Sequence, residues 1–221
     1  MKSSYYKYFA ALLLFGSNGI VASNINLPSY EIVLLRLLLG SLFLIAVFMA
    51  SGQKFTFYRN KHTCLYLFIS ASAMGASWML LYEAYHQVGV SIASLAYYCG
   101  PVIVMILSPF LFRETLTWPK IAGFLTVLAG MCLVNLQALD EGKTIWGLFC
   151  GLMSAFMYAL MVTANKKAKP ESGLENSLLQ LVIGSFIVVA FVSMQKNFVL
   201  SLTTIDWIPV LLLGLLNTGI G

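Results

Sequence analysis

Charged side chains fall so rarely along this chain that they divide it into apolar stretches of about the length a lipid bilayer demands. The hydrocarbon core is about 30 Å thick and a helix rises about 1.5 Å per residue, so a crossing needs about 20 mostly apolar residues. Cutting the sequence at its charges leaves stretches at 8–23, 32–52, 64–82, 89–112, 119–138, 145–165 and 177–195, and a last one from 207 to 221. They predict an all-α integral membrane protein with seven spans and part of an eighth. The composition agrees: of 221 residues 60% are hydrophobic and 10% charged, whereas a soluble domain carries roughly 25% charged residues. So little polar surface cannot cover so large an apolar interior in water. Nucleic-acid binding, disorder and a secreted fold are excluded on the same ground. No stretch alternates apolar with polar residues, so nothing in the pattern supports a transmembrane barrel. The first stretch lacks an A-x-A-type cleavage site and reads as a span, not a removable leader.

The positive charges fix an expected orientation. Alternate connections carry Lys2 and Lys7; Lys54, Arg59 and Lys61; Arg113 and Lys120; and Lys166, Lys167 and Lys169, ten of the 13 basic residues. The other side holds Lys143 and Lys196, with Glu31, Asp140, Glu141 and Asp206. Such a bias places the N-terminus and the basic loops in the cytoplasm of a plasma (inner) membrane.

The chain also repeats itself. Residues 34–48, LLRLLLGSLFLIAVF, lie over 178–192, LLQLVIGSFIVVAFV, with Leu34, Leu35, Leu37, Gly40, Ser41 and Ala46 matched at an offset of 144. A unit of that length holds five spans, and an odd number of spans turns the second copy upside down. Inverted repeats of this kind give a carrier two exchangeable conformations, one open to each side. The expected division is a first five-span repeat at 1–140 and an incomplete second, inverted repeat at 141–221, ten spans being the full complement.

The run ASLAYYCGPVIVMILSPFLFRETLTWPKIAGFLTVLAGMCLV, residues 93–134, resembles the most characteristic stretch of the drug/metabolite transporter superfamily in its EamA-like branch. The features that carry the resemblance are Pro101 in the fourth span, Glu114 at its end, Gly123, and the Ala129-Gly130 pair that ends the fifth. FGSNG at 15–19 and Arg36 in the second span also look like the family. The resemblance implies ten spans in two inverted halves and export or exchange of small metabolites, often amino acids, without ATP.

Several residues are candidates for a site. Arg36 costs about 2.5–3.5 kcal/mol to place in a membrane helix, so it needs a partner. It either reaches Glu31 and the interface or binds an anionic group such as a carboxylate, with Gln180 as its neutral counterpart in the second copy. Trp78 and Tyr82 share a helix face, and Tyr97 and Tyr98 precede Pro101, which frees a backbone carbonyl. Freed backbone at membrane depth is tolerated chiefly beside neighbours or a watery cavity, so this region is the expected substrate pocket, joined by Ser17 and Asn18. Glu83 is the candidate for proton coupling, and His86 is expected in the outer loop. Gly147, Gly151 and Ala155, and likewise Ala122, Thr126 and Gly130, form small-residue ladders suited to close helix packing. Glu114 reads as a cap, with Thr117 and Pro119 announcing the next helix.

Cys64, Cys99, Cys132 and Cys150 match neither a disulfide framework nor a zinc pattern, and no metal or other cofactor is expected. No P-loop, H-E-x-x-H, G-x-S-x-G or G-x-G-x-x-G motif occurs, which argues against an enzyme. The expected function is a secondary transporter, an exporter of small organic metabolites working by alternating access at a midplane cavity. Its partners are that solute and the bilayer, with protons as a candidate coupling ion. Proton-coupled efflux of lipophilic cations, or a non-transporting scaffold or subunit, are the alternatives.

Overall fold

The computed structural model describes residues 9, 13–14, 16–22, 24–25, 27–113, 115, 117–139, 145–168, 172–194 and 207–220. Among these residues the chain is helical with no strand. A first helical segment, α1, covers 16–22. It is followed by α2 (Ser29–Ser51), α3 (Lys61–Val88), α4 (Val90–Tyr97), α5 (Cys99–Phe112), α6 (Trp118–Leu139), α7 (Ile145–Ala168), α8 (Gly173–Ser193) and α9 (Trp207–Leu211). The last runs into a π-helical segment, Leu212–Ile220. Five stretches are long and apolar enough to cross a membrane: Tyr30–Ser51, Lys61–Val88, Val90–Phe112, Ile145–Ala168 and Gly173–Ser193. Glu114, Lys2, Lys7, Lys143, Lys169, Lys196, Asp140, Glu141 and Asp206 lie outside the described residues, as does the side chain of Cys132.

The helix ends follow from local chemistry. Gly52 closes α2 with φ 65°, its N–H reaching the Met49 carbonyl, and Gly89 closes α3 with φ 83°; both angles suit a residue without a Cβ. Because nothing breaks α3 before Gly89, the helix runs past the predicted end at 82. That corrects the placement of His86, which sits in the last turn of α3 and not in a loop. Asn60 caps α3 by accepting from the His62 N–H, and Ser172 caps α8 by accepting from the Glu175 N–H. Pro119 occupies the first turn of α6, where its missing N–H costs nothing.

Lipid tails are as apolar as leucine, so spanning helices gain little by burying leucines against each other and associate through close contact and polar bonds instead. The antiparallel pair α3 and α7 shows both devices. Thr63 donates to the Ala168 carbonyl, Ser70 to the Met161 carbonyl, and Ser77 to the Ser154 carbonyl, while Ser154 donates back to the Ser77 carbonyl. The rungs step by seven residues on both helices, the period that keeps one seam facing its partner. At the far end of the seam Gly147 and Gly151 replace the rungs. A Cβ on Gly151 would lie 2.8 Å from the Ala96 Cβ, so the ladder predicted on this span serves packing within the chain. The α6 ladder differs: a Cβ on Gly130 would meet nothing within 4 Å, and Thr126 bonds the carbonyl of Ala122 on its own helix. Leu42, Phe110, Leu152 and Phe186 face outward, as a hydrocarbon solvent allows.

α2 and α8 cross antiparallel. Leu37 lies over Gly184, Leu181 over Gly40, and the Ser41 and Ser185 hydroxyls meet at 3.0 Å. Where α2 ends and α8 begins, Glu175 clamps the intervening loop. Its carboxylate accepts from the Thr56 N–H and hydroxyl, both at 2.6 Å, and from the Phe57 N–H at 2.9 Å. Replacing Glu175 by Ala leaves three donors unpaired. It is expected to cost about 2–3 kcal/mol, read as a lowered midpoint of thermal unfolding in detergent, with Thr56→Val losing less.

Candidate functional site

Three of the predicted residues come together around one charge. Arg36, on α2, is 3% exposed. Its Nη1 donates to the Tyr82 hydroxyl at 2.7 Å and its Nε to the Thr218 hydroxyl at 3.1 Å. The guanidinium carbon stands 3.9 Å from the centre of the Trp78 ring and 5.5 Å from that of Tyr82. Trp78 and Tyr82, one turn apart on α3, thus supply a π face and a hydroxyl to the same cation. A desolvated cation–π contact contributes about 2 kcal/mol, comparable with the insertion cost of the arginine. Glu31, the other expected partner, is buried with its Oε2 unbonded. Among the described residues no carboxylate pairs with Arg36.

Thr218 reaches the site from the far end of the chain because two local features allow it. The π-helical turn lets its hydroxyl bond the Leu213 carbonyl, five residues back. Gly40 leaves room for it: a Cβ there would lie 2.7 Å from Thr218 Cγ2. Its neighbour Asn217 faces the other way and donates to the Leu14 carbonyl, the Ser17 hydroxyl and the Asn18 side-chain oxygen. Ser17 and Asn18 therefore join the cluster through Asn217, as an interhelical bond.

A cleft of about 920 Å³ opens beside the cluster, with Pro28, Tyr30, Tyr82, Glu83, Tyr85 and His86 among its walls. Tyr82 is thus shared between cleft and cation. The Tyr85 ring lies 5.3 Å from that of Tyr82, tilted by 48°, and its hydroxyl accepts a bond from Ser94. Glu83 accepts from Gln87 at 3.0 Å on the cleft wall. Tyr97 borders the same buried core as Trp78, Tyr82 and Tyr85. Tyr97 packs edge-on against Tyr158 at 5.3 Å, while Tyr98 is 47% exposed and Pro101 is exposed in the first turn of α5. α4 and α5 meet at Tyr98, and the Tyr97 and Tyr98 rings stay neighbours with centroids 6.4 Å apart. Gln180 bonds Ser70, not the Arg36 cluster. Sequence reasoning missed Asn217, Thr218 and Tyr85. The available signal was a polar pair inside the last apolar stretch, at a depth where an unpaired hydroxyl or amide is costly.

The model of the EamA-like transporter family matches residues 3–136. The chain belongs to the EamA-like transporter family. It is a transporter, not an enzyme, and a multi-pass membrane protein. It is 28% identical over 221 residues to an uncharacterized transporter, YxxF, of Bacillus subtilis (strain 168), covering 97% of this chain and 69% of that protein. It is 22% identical over 200 residues to a biotin transporter of Salmonella typhimurium (strain LT2), covering 89% of this chain and 65% of the other. This EamA-like chain thus spans about two thirds of the length of these relatives. A solved structure described as "Crystal structure of protein" superposes with a TM-score of 0.77 at 20% identity, covering 100% of this chain and 76% of its own; it shares the fold.

In this EamA-like chain Gly40→Ala is expected to push Thr218 off the guanidinium. The cost is about 1–3 kcal/mol, as for other overpacked sites, with altered Trp78 fluorescence. An unchanged melting midpoint and spectrum would show that the close approach is unimportant.

Proposed function

We propose that this protein is a secondary carrier that exports small organic metabolites across the plasma (inner) membrane, its N-terminus in the cytoplasm, by alternating access between two inverted five-helix units. The first unit is 1–140 and the second begins at 141. The observation that carries this reading is the Arg36 cluster: a buried cation in a spanning helix, held by groups from both proposed units and separated from a large cleft by one tyrosine. Ionisable residues inside membrane spans face the bundle interior or a water-filled cavity and mark substrate or ion pathways.

The internal symmetry gains support from geometry. The two matched segments lie on α2 and α8, which cross antiparallel, and the matched serines Ser41 and Ser185 hydrogen-bond to each other. Residues related by a two-fold axis meet in this way only when they sit beside that axis. The offset also pairs Glu31 with Glu175, both buried, at opposite ends of the bundle. Glu175 has its three donors, while Glu31 Oε2 has none and lies at the end that carries the cleft. One end tied and the other open is the asymmetry an alternating-access carrier exhibits at rest in either state. A relative named biotin transporter fits a small organic metabolite as cargo. Glu83, on the cleft wall, is the candidate for proton coupling.

The test uses the full chain in liposomes, its native cysteines replaced, with single cysteines at Gln87 on the cleft and at Asn60 at the opposite end. An impermeant thiol reagent is expected to reach Gln87→Cys from one side and Asn60→Cys from the other. A solute that exchanges in counterflow should move the two labelling rates in opposite directions. Rates that never respond to any exchanged solute, or counterflow of no solute with or without a pH gradient, would overturn the carrier reading.

A further inference from the structure

Arg36 is a buried cation on a helix long and apolar enough to span a membrane, and among the described residues it has no anionic partner. A guanidinium has five N–H donors; here one goes to Thr218 and one to Tyr82, both neutral hydroxyls. The rest donate to no described residue, and the nearest acid on the same helix, Glu31, keeps a buried oxygen unbonded instead of turning it to Arg36. A buried charge with only neutral partners is under-compensated. Trp78 covers one face of the plane, and the Tyr82 hydroxyl stands where the fork points.

We propose that the transported solute carries a carboxylate, that Arg36 receives it, and that the Tyr82 hydroxyl is a stand-in which the carboxylate displaces. This rests on the carrier reading above and names its substrate class. The Tyr82 oxygen lies 2.7 Å from Nη1, the separation at which a carboxylate oxygen sits on a guanidinium. A charged acceptor binds such a donor about twice as strongly as a neutral one and can take two N–H groups in parallel, which offsets the cost of taking the carboxylate out of water. Tyr82 also forms part of the cleft wall, and its departure joins the cleft to the guanidinium. Tyr30 and Tyr85 flank that path, offering ring faces to an apolar or aromatic body. An organic cation meets the opposite situation, repulsion from an uncompensated charge in a medium of low dielectric constant.

The experiment is counterflow in liposomes holding the full chain. The solutes are a panel of radiolabelled carboxylates, amino acids and phenylacetate among them, each set beside its primary amide, with tetraphenylphosphonium as the cation. At least one acid is expected to exchange, its amide at least about tenfold more slowly, and the cation not at all. Arg36→Gln should reduce exchange of that acid by about ten- to a hundredfold, with Arg36→Lys retaining part of it. Tyr82→Phe, which removes only the competing hydroxyl, should lower the half-saturating concentration of the acid about two- to threefold. Since Arg36→Gln removes a helix contact, its melting midpoint is measured beside that of Tyr82→Phe. Amide or cation exchanging as fast as the acid, or Tyr82→Phe weakening the acid, would overturn the carboxylate assignment while leaving the protein a carrier. Exchange of no solute at all would overturn the carrier reading itself.

Discussion

In hydrocarbon a helix gains almost nothing by hiding one leucine behind another, and the architecture of this chain answers that constraint at every contact that positions the site. α3 is held to α7 by hydroxyls that each find a carbonyl on the neighbour, at a seven-residue period, and by glycines where the hydroxyls stop. The seam holds α3 firmly, and α3 carries Trp78, Tyr82 and Tyr85 together. α2 brings Arg36 to that face because Gly40, Ser41, Gly184 and Ser185 let it cross α8 closely. The geometry of the Arg36 cluster thus depends on packing devices made of the smallest side chains in the sequence.

Much of this was legible in the chain itself, because bilayer thickness and the cost of charge act on sequence directly. The spacing of charges located the five described helices long and apolar enough to cross a membrane, and the rarity of intramembrane charge singled out Arg36. Helical periodicity paired Trp78 with Tyr82. The surroundings of Tyr98 and Gln180 were not legible in the same way. Depth along a helix is readable from sequence, but direction around it depends on which neighbour arrives, as Ser70 does at Gln180. Thr218 announced itself as a polar group at depth, but its partner was not readable. Its reach depends on a π turn and on the space above Gly40, neither of which has a compositional mark.

Among the described residues, the cation and its aromatic neighbours illustrate how a membrane protein holds an arginine by neutral groups. A salt bridge would have satisfied Arg36 fully and left it inert toward anything else. Two neutral hydroxyls and a ring face hold it in place while preserving most of its field, so stability and responsiveness are traded against each other at one residue.

Glu175 leads to a different consequence at the opposite end of the bundle. Its two oxygens are committed to Thr56 and Phe57, although Arg59 and Lys167 border the same small cavity of about 320 Å³. Accepting three hydrogen bonds does not discharge the carboxylate, so Glu175 still offsets one of the two neighbouring positive charges while it ties the α2–α3 loop to the start of α8. One side chain thereby serves as both counter-charge and fastening, and removing it would loosen the loop and sharpen the repulsion between the bases together.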